Sequence, residues 1–344
     1  MRGELSHALP ELVTSANRIL RADTMSAVLL RGINRSGLEY SEPAAAGFLD
    51  AAQLSEDEIR ELVGWNANII RLPFNQDWCL NGRNGHSAEE YLASIDQVIA
   101  WASALGAYTI LDLQWLDAET AYGYIEDENH LKRANRVPPT PNQDTIRLWQ
   151  TLAARYENEP AVLFDLFNEP HDPLQDDLLP IRVPGPNGHV LESDQRFVSP
   201  KEWLSWATLL ITEVRKIRAK GIILVAGVDW AFDLRRIRVD APNIVYSAHV
   251  YPNRKSHHWW KALGHWNKVP VFVAEWGGQE QDREFGRKLA DLMRRRAMSW
   301  SAWSWVDHPR LVQTPCAPSY QPTPFGELVR NELRKCAPTP RYSI

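Results

Sequence analysis

Residues Val162–Pro170 read V-L-F-D-L-F-N-E-P, and this stretch decides the fold. Six of the nine side chains are apolar, and the run is too short for a helix of ordinary length. A run of this kind is a strand buried on both faces, as in a parallel sheet. Asn168 and Glu169 close it with hydrogen-bonding groups, and Pro170 stops the strand. Working outward, the same kind of run recurs at Val28–Asn34, Asn68–Pro73 and Tyr108–Leu113 on the N-terminal side. It recurs at Ile222–Ala226, Ile244–His249, Val271–Glu275 and Trp300–Trp305 on the C-terminal side. Amphipathic segments of helical period separate them: Ser55–Trp65, Ala88–Leu105, Gln143–Tyr156, Pro200–Ala219, His257–Trp266 and Arg283–Arg296, with Pro324–Lys335 last. Only the connection Gly227–Asn243 is weakly helical. Eight strands alternating with helices predict an α/β chain folded as a (β/α)8 barrel. An open doubly wound sheet is the alternative, but no G-x-G-x-x-G follows the first strand.

The 344 residues fit one such barrel as a single catalytic domain over 1–344. Residues 1–27 precede the first strand and are expected to close the barrel bottom. Extended loops are expected after strand 3 (Trp115–Pro141) and strand 4 (Pro170–Ser199), on the face where barrels carry their sites. A net charge of −5 lacks the basic field of a nucleic-acid binder. No apolar run approaches the length of a membrane span. Cys79, Cys316 and Cys336 are too scattered for a zinc or redox centre, although Cys316 and Cys336 could pair in an exported protein. Met1–Leu20 hold no continuous apolar signal core, which leaves localisation open between the cytoplasm and export with a leader removed. A monomer is expected.

The last inward residues of barrel strands point to the mouth. Reading each run to its end gives Asn34, Arg71, Gln114, Asn168, Glu169, His249, Tyr251, Glu275 and Trp305. Two carboxylates among hydrogen-bonding groups suit cleavage of a glycosidic bond. One carboxylic acid protonates the leaving oxygen while one carboxylate attacks the anomeric carbon. The acid needs a raised pKa, and the nucleophile must stay ionised, with Arg71 and Tyr251 placed to hold it so. Asp112 and Asp165 lie two and four residues before the ends of strands 3 and 4. They read either as groups that hydrogen-bond the mouth residues or as buried structural partners of an arginine. Among 15 Trp, Trp115, Trp230 and Trp276 are candidate sugar platforms beside Trp305, while Trp259 and Trp260 are assigned to packing.

Six of these motifs, in order, resemble glycoside hydrolase family 5, the large cellulase family of retaining β-glycanases. They are L-L-R-G-I-N (Leu29–Asn34), R-L-P-F (Arg71–Phe74), L-F-D-L-F-N-E-P (Leu163–Pro170), A-H-V-Y-P (Ala248–Pro252), V-F-V-A-E-W-G (Val271–Gly277) and W-S-W (Trp303–Trp305). The resemblance implies a barrel and retention of anomeric configuration, with no metal and no cofactor in the chemistry. It implies Glu169 as acid/base and Glu275 as nucleophile. Arg71 and Tyr251 would support the nucleophile, His249 would lie beside the acid/base, Asn168 would meet the sugar 2-hydroxyl, and Trp305 would be the platform. One position departs: the family's strand 3 usually ends L-D-x-H, and here it reads L-D-L-Q (Leu111–Gln114), so that position cannot titrate.

The partner expected is a β-linked oligo- or polysaccharide, first an endo-cleaved β-1,4-glucan. Mannan, exo-action and transglycosylation stay open on the same site. Asp172–Asp177 and Ile181–Gly188 would wall one side of the cleft. A non-catalytic carbohydrate-binding barrel would be expected to lack one of the two Glu. A metal-dependent hydrolase would need His ligands clustered at strand ends.

Overall fold

In the computed structural model, residues 9–116, 140–171, 198–313 and 320–335 are described throughout, with the backbone of four strand fragments between 125 and 192. Cys316, Cys336, Asp172–Asp177 and most of the loops after strands 3 and 4 lie outside the described residues, as does the proposed cleft wall Ile181–Gly188 apart from the backbone of 182–184.

Eight parallel strands close into a barrel. They are β1 (Arg31–Asn34), β2 (Ile69–Asn75), β3 (Tyr108–Trp115) and β4 (Val162–Asp165), then β5 (Ile223–Ala226), β6 (Ile244–Val250), β7 (Val271–Trp276) and β8 (Ser299–Ala302). Every strand pairs with its sequence neighbour, and β8 returns to β1 through Trp300 opposite Arg31. The chain is therefore a (β/α)8 barrel. Several strand ends differ from the sequence reading. β3 runs past Leu113 to Trp115, and β4 stops at Asp165, three residues before Asn168. β2 runs through Pro73 to Asn75, with a register shift at Phe74/Asn75. β8 stops at Ala302, three residues before Trp305.

Around the barrel lie α1 (Glu56–Gly64), α2 (Ala88–Ala104), α3 (Gln143–Arg155), α4 (Pro200–Lys216), α5 (Trp260–Leu263), α6 (Arg283–Arg295) and α7 (Pro324–Arg334). Their starts are written in the sequence. The Ser87 hydroxyl accepts from the Glu90 N–H while Glu90 reaches back to the Ser87 N–H, a reciprocal cap for α2. Ser199–Pro200 and Thr323–Pro324 start α4 and α7 with a capping hydroxyl and a proline in the first turn. Each helix buries one stripe, as α6 does with Leu289, Ala290 and Met293, leaving Arg287 and Lys288 outside. No helix forms between β5 and β6 among the described residues, as the weak period of Gly227–Asn243 implied.

Inside the barrel, the strand period of two sorts the side chains into layers. The lower layer is apolar: Ile69, Ile110, Leu163, Leu224, Val245 and Phe272 pack together. Leu12, Ile19 and Val28 join that cluster from below. They belong to a three-stranded antiparallel sheet over Leu12–Val28, so the segment expected to close the barrel bottom lies there. The Tyr108 hydroxyl ties the two together by donating to the Pro10 carbonyl at 2.7 Å. A few residues further up the strands, the layer is polar. Gly32 sets the spacing of β1 against β2: a Cβ there would stand 1.7 Å from the Ile69 carbonyl oxygen. Among the described residues, no helix is long and apolar enough to cross a membrane.

Candidate active site

Arg71 is the centre of the polar layer. It leaves β2 two residues above Ile69 and has no exposed surface. Its Nη1 donates to Asn34 Oδ1 at 2.9 Å and to Glu275 Oε1 at 2.8 Å. Its Nη2 donates to Asn168 Oδ1 at 2.9 Å, and its Nε donates to Asp165 Oδ2 at 3.0 Å. Asp112 Oδ1 stands 2.8 Å from Nη2. A single guanidinium thus holds together side chains from β1, β2, β3, β7 and the end of β4. The two readings of Asp112 and Asp165 merge here, because the arginine they pair with is itself a mouth residue.

One cation against three buried carboxylates leaves negative charge in a medium that solvates it poorly. Burial pushes the Asp112 carboxyl well above the ordinary carboxylate range; Arg71 opposes the rise, and Asp165 and Glu275 add to it. Asp165 is raised too, chiefly by burial, with Arg71 and His249 pulling back.

Glu275 ends β7 with its side chain 5% exposed. Arg71 holds one of its oxygens, and the Tyr251 hydroxyl donates to the other at 2.7 Å. Burial still pushes its carboxyl above the ordinary value, opposed by His249 and Arg71 and reinforced by Glu169. Glu169, at the end of β4, is more open, with its side chain 12% exposed. His249 joins the two acids: its Nδ1 is 2.8 Å from Glu169 Oε1 and 3.5 Å from Glu275 Oε2. Burial pulls the imidazole down to about 4, so it is neutral at neutral pH. One ring nitrogen of His249 and one oxygen of each Glu lie within 4.8 Å of one another. This is the scale of the ~5–5.5 Å separation that double displacement uses. A divalent cation could also use two carboxylates and an imidazole as donors. Here, however, Arg71 already occupies one Glu275 oxygen and Tyr251 the other, so a cation would have to lie against a guanidinium.

The remaining sequence candidates divide. Asn168 is 3% exposed with its carbonyl oxygen taken by Arg71, so only its NH2 is left to offer a ligand. Gln114 is 6% exposed on the same face of β3 as Asp112. Asn34 is fully buried and donates to the Ala274 carbonyl at 2.8 Å, so it supports Arg71 from beneath and cannot meet substrate. Trp230, half-buried at the β5 exit, stacks on His171 with centroids 3.7 Å apart and planes at 13°. The His171 Nδ1 lies 2.7 Å from the Glu169 carbonyl oxygen, which puts this aromatic pair beside the acid. Trp115 is nearly covered, with its ring 5.9 Å from that of Tyr40.

Two platform assignments are corrected. Trp276 has no exposed surface and packs between Trp300 and Phe325, with centroids 5.2 and 5.8 Å away. Its neighbour Glu275 points inward, so alternation sends the indole out to the helix layer. Trp305 is also fully buried, edge-on to Trp65 at 4.8 Å, with its indole N–H turned toward Glu58. β8 has ended before it, and the chain has swung toward α1. Trp303 lies two residues past Ser301, whose hydroxyl donates to the Ala274 carbonyl. It stays half-buried, and its backbone N–H donates to the Trp276 carbonyl at 2.9 Å. Both Trp of W-S-W share one strand parity, so only the end of β8 distinguishes them. Trp259 packs as expected, but Trp260 is 54% exposed, which corrects its assignment to the core.

The family model for cellulase (glycosyl hydrolase family 5) matches residues 49–309. Endoglucanase MaCel5A of Microbulbifer sp. is 23% identical over 319 residues, covering 86% of this chain and 51% of that protein. The chain spans about half or less of the length of the first curated relatives it matches. Among solved structures, β-glucanase SdGluc5_26A of Saccharophagus degradans, in complex with cellotetraose, superposes with a TM-score of 0.70 at 21% identity. That match covers 95% of this chain and 94% of that one. The catalytic domain of Thermobifida fusca endoglucanase Cel5A gives 0.68 at 20% identity, covering 94% and 97%. At these identities the structural likeness speaks for the barrel.

Proposed function

The chain belongs to the cellulase family, glycosyl hydrolase family 5, and on that premise we propose that it cleaves β-1,4-glucan chains internally with retention of configuration. The observation that carries this reading is the pair Glu169 and Glu275, bridged by one imidazole, with Glu275 also bonded to Arg71 and Tyr251.

Glu275 is the nucleophile. Arg71 and Tyr251 fix both of its oxygens and favour its anionic form. Its carboxylate attacks the anomeric carbon as Glu169 gives its proton to the departing glycosidic oxygen. Glu169 then takes a proton from water, the hydroxide oxygen bonds to the anomeric carbon, and Glu275 leaves with its electron pair. His249 serves both halves while remaining neutral. Its Nδ1 accepts from the protonated acid, and its other tautomer donates to the carboxylate. The Asn168 NH2 meets the sugar 2-hydroxyl, and Trp303 lies under the ring in the place first given to Trp305. Trp230 extends the cleft on the acid's side. Glucan is preferred because the relatives matched are named endoglucanases.

The test is chemical rescue. Glu275→Ala should abolish turnover of an aryl cellobioside, and azide, attacking from the vacated α face, should restore it as the inverted α-glycosyl azide. Correspondingly, Glu169→Ala with azide should give the azide of retained configuration. Exchange of these two products between the variants would reverse the roles. Failure of EDTA to inhibit supports the metal-free reading, and strong inhibition would replace it.

A further inference from the structure

We propose that the barrel flank beside β6 carries a second carbohydrate-binding site, for a β-glycan bearing carboxylate groups, built on Trp260 and the cations around it. This rests on the glycan reading above. Between residues 233 and 268 the chain has seven Lys or Arg against two Asp, in a protein whose net charge is −5. The fold gathers these charges. The Arg235 guanidinium lies 5.1 Å from the Trp260 ring centroid, yet Trp260 is still 54% exposed, so much of the indole faces solvent. Two residues before Trp260, His258 has its basicity depressed by desolvation and then by the charges of His257, Lys261 and Lys255 close by. The backbone fastens the patch together, because the Leu234 N–H donates to the Lys261 carbonyl.

Of the two Asp in this stretch, Asp240 is exposed and, among the described residues, outside any ion pair, and the other is engaged, as is Asp229 just before it. Asp233 pairs with Arg235, and Asp229 pairs with Arg254. Among the described residues, Lys255, Lys261 and Arg236 have no carboxylate partner within ion-pair distance. Arg236 lines an open groove of ≈ 660 Å³ together with Lys201, Ser199, Ser205 and Thr208. A flat aromatic face, hydroxyls and unpaired cations together suit sugar rings with acidic substituents.

Continuity with the mouth argues for a glycan as the occupant. Tyr251, bonded to Glu275, is followed directly by the turn in which the Arg254 N–H donates to the Tyr251 carbonyl. The Arg254 guanidinium covers Phe232, and its carbonyl accepts from the Trp259 indole. A chain leaving the cleft over β6 therefore meets the patch next. The mouth itself holds several carboxylates and repels an anionic chain. The flank supplies the opposite field, so acidic substituents are received outside the catalytic pocket.

Affinity electrophoresis of the full chain in native gels tests this, with carboxymethyl-cellulose as the anionic glycan and hydroxyethyl-cellulose as the neutral one. Carboxymethyl-cellulose should retard the protein at low salt and release it as salt rises. Trp260→Ala should weaken that retardation about tenfold, and Lys255→Glu with Lys261→Glu should abolish it. Turnover of an aryl cellobioside should be unchanged in both. Equal retardation by hydroxyethyl-cellulose overturns the proposal, as does unaltered retardation in both variants. Duplex DNA or phosphatidylserine vesicles bound as tightly as carboxymethyl-cellulose at equal salt would make the patch a generic polyanion surface and overturn it too. The salt response of the unmodified protein reads the charge contribution without any variant. Absence of aryl cellobioside turnover in the unmodified protein would instead defeat the catalytic reading, whatever the gels show.

Discussion

The lower and upper layers of the barrel interior are built by the same strands, a few residues apart, and have opposite chemistry. Ile69, Leu163, Val245 and Phe272 below touch only carbon-rich neighbours, and their burial stabilises the fold without directional demands. Arg71, Asp112, Asp165 and Glu275 above are as deeply buried, but each is held by charge and hydrogen bonds. Such a cluster costs stability relative to an apolar layer of the same shape. On the proposed reading, what it secures is a nucleophile already oriented before substrate arrives, with no reorganisation needed at the moment of attack. The comparison teaches that stability and catalysis occupy separate storeys of one barrel.

Removing the arginine should break that division most severely. Arg71→Met strands three carboxylates without a cation. On a cost of ~3–5 kcal/mol for breaking a buried pair, kcat/KM on an aryl cellobioside should fall about a thousandfold or more. A fall under tenfold would mean that Glu275 needs no such support. In the lower layer, Phe272→Ala should cost ~3–5 kcal/mol of stability by urea unfolding. The kcat/KM of the protein that remains folded should change only slightly. A catalytic loss without a stability loss would show that the layers are not separable.

Tyr251→Phe removes a single hydrogen bond to a charged oxygen, worth ~1.5–3 kcal/mol. It should lower kcat by roughly ten- to a hundredfold, while KM for the same glycoside changes little. The acid limb of the kcat/KM–pH profile should stand above the ~4.3 of an ordinary glutamate, because burial raises Glu275. A limb at or below that value contradicts the electrostatics described.

The smallest effect is expected at Asp112. Burial pushes its carboxyl upward, and Asp112→Asn, which keeps the shape, should change kcat/KM by less than about threefold. Its raised folded pKa means that its contribution to stability is fully present below the unfolded value of ~3.9 and is lost as pH rises. Asp112→Asn lacks that loss. The stability difference between the variant and the parent should therefore shift in favour of the variant as pH climbs from 4 toward 8. A difference that stays flat would show Asp112 to be ionised.

The strands were legible because apolar runs of this length have few other uses, and the alternation within them carried the site. Once Glu275 is taken as inward, Arg71, Asn168, His249 and Tyr251 follow from reading neighbouring strands to the same height, and the fold does bring these side chains together. The same alternation, applied one residue further, would have turned Trp276 outward. Trp305 was less accessible, because the parity of Trp303 and Trp305 is identical and the end of β8 depends on backbone pairing that composition does not encode. Trp260 differs from Trp259 through the single turn of α5, too short for a helical period to reveal. Asp112 and Asp165 were ambiguous for a different reason: whether they serve a mouth residue or a structural arginine is one question when Arg71 is both.

At Gly32 the lone hydrogen leaves room for the Ile69 carbonyl to nest against β1. Adding one methyl group there would wedge the first two staves apart below Asn34 and Arg71, and the guanidinium would tilt away from every oxygen it now reaches. A substitution remote from any sugar would then be scored in an assay as a lost nucleophile. Random mutagenesis of this chain should consequently find inactive clones at a position that no inspection of the cleft would nominate.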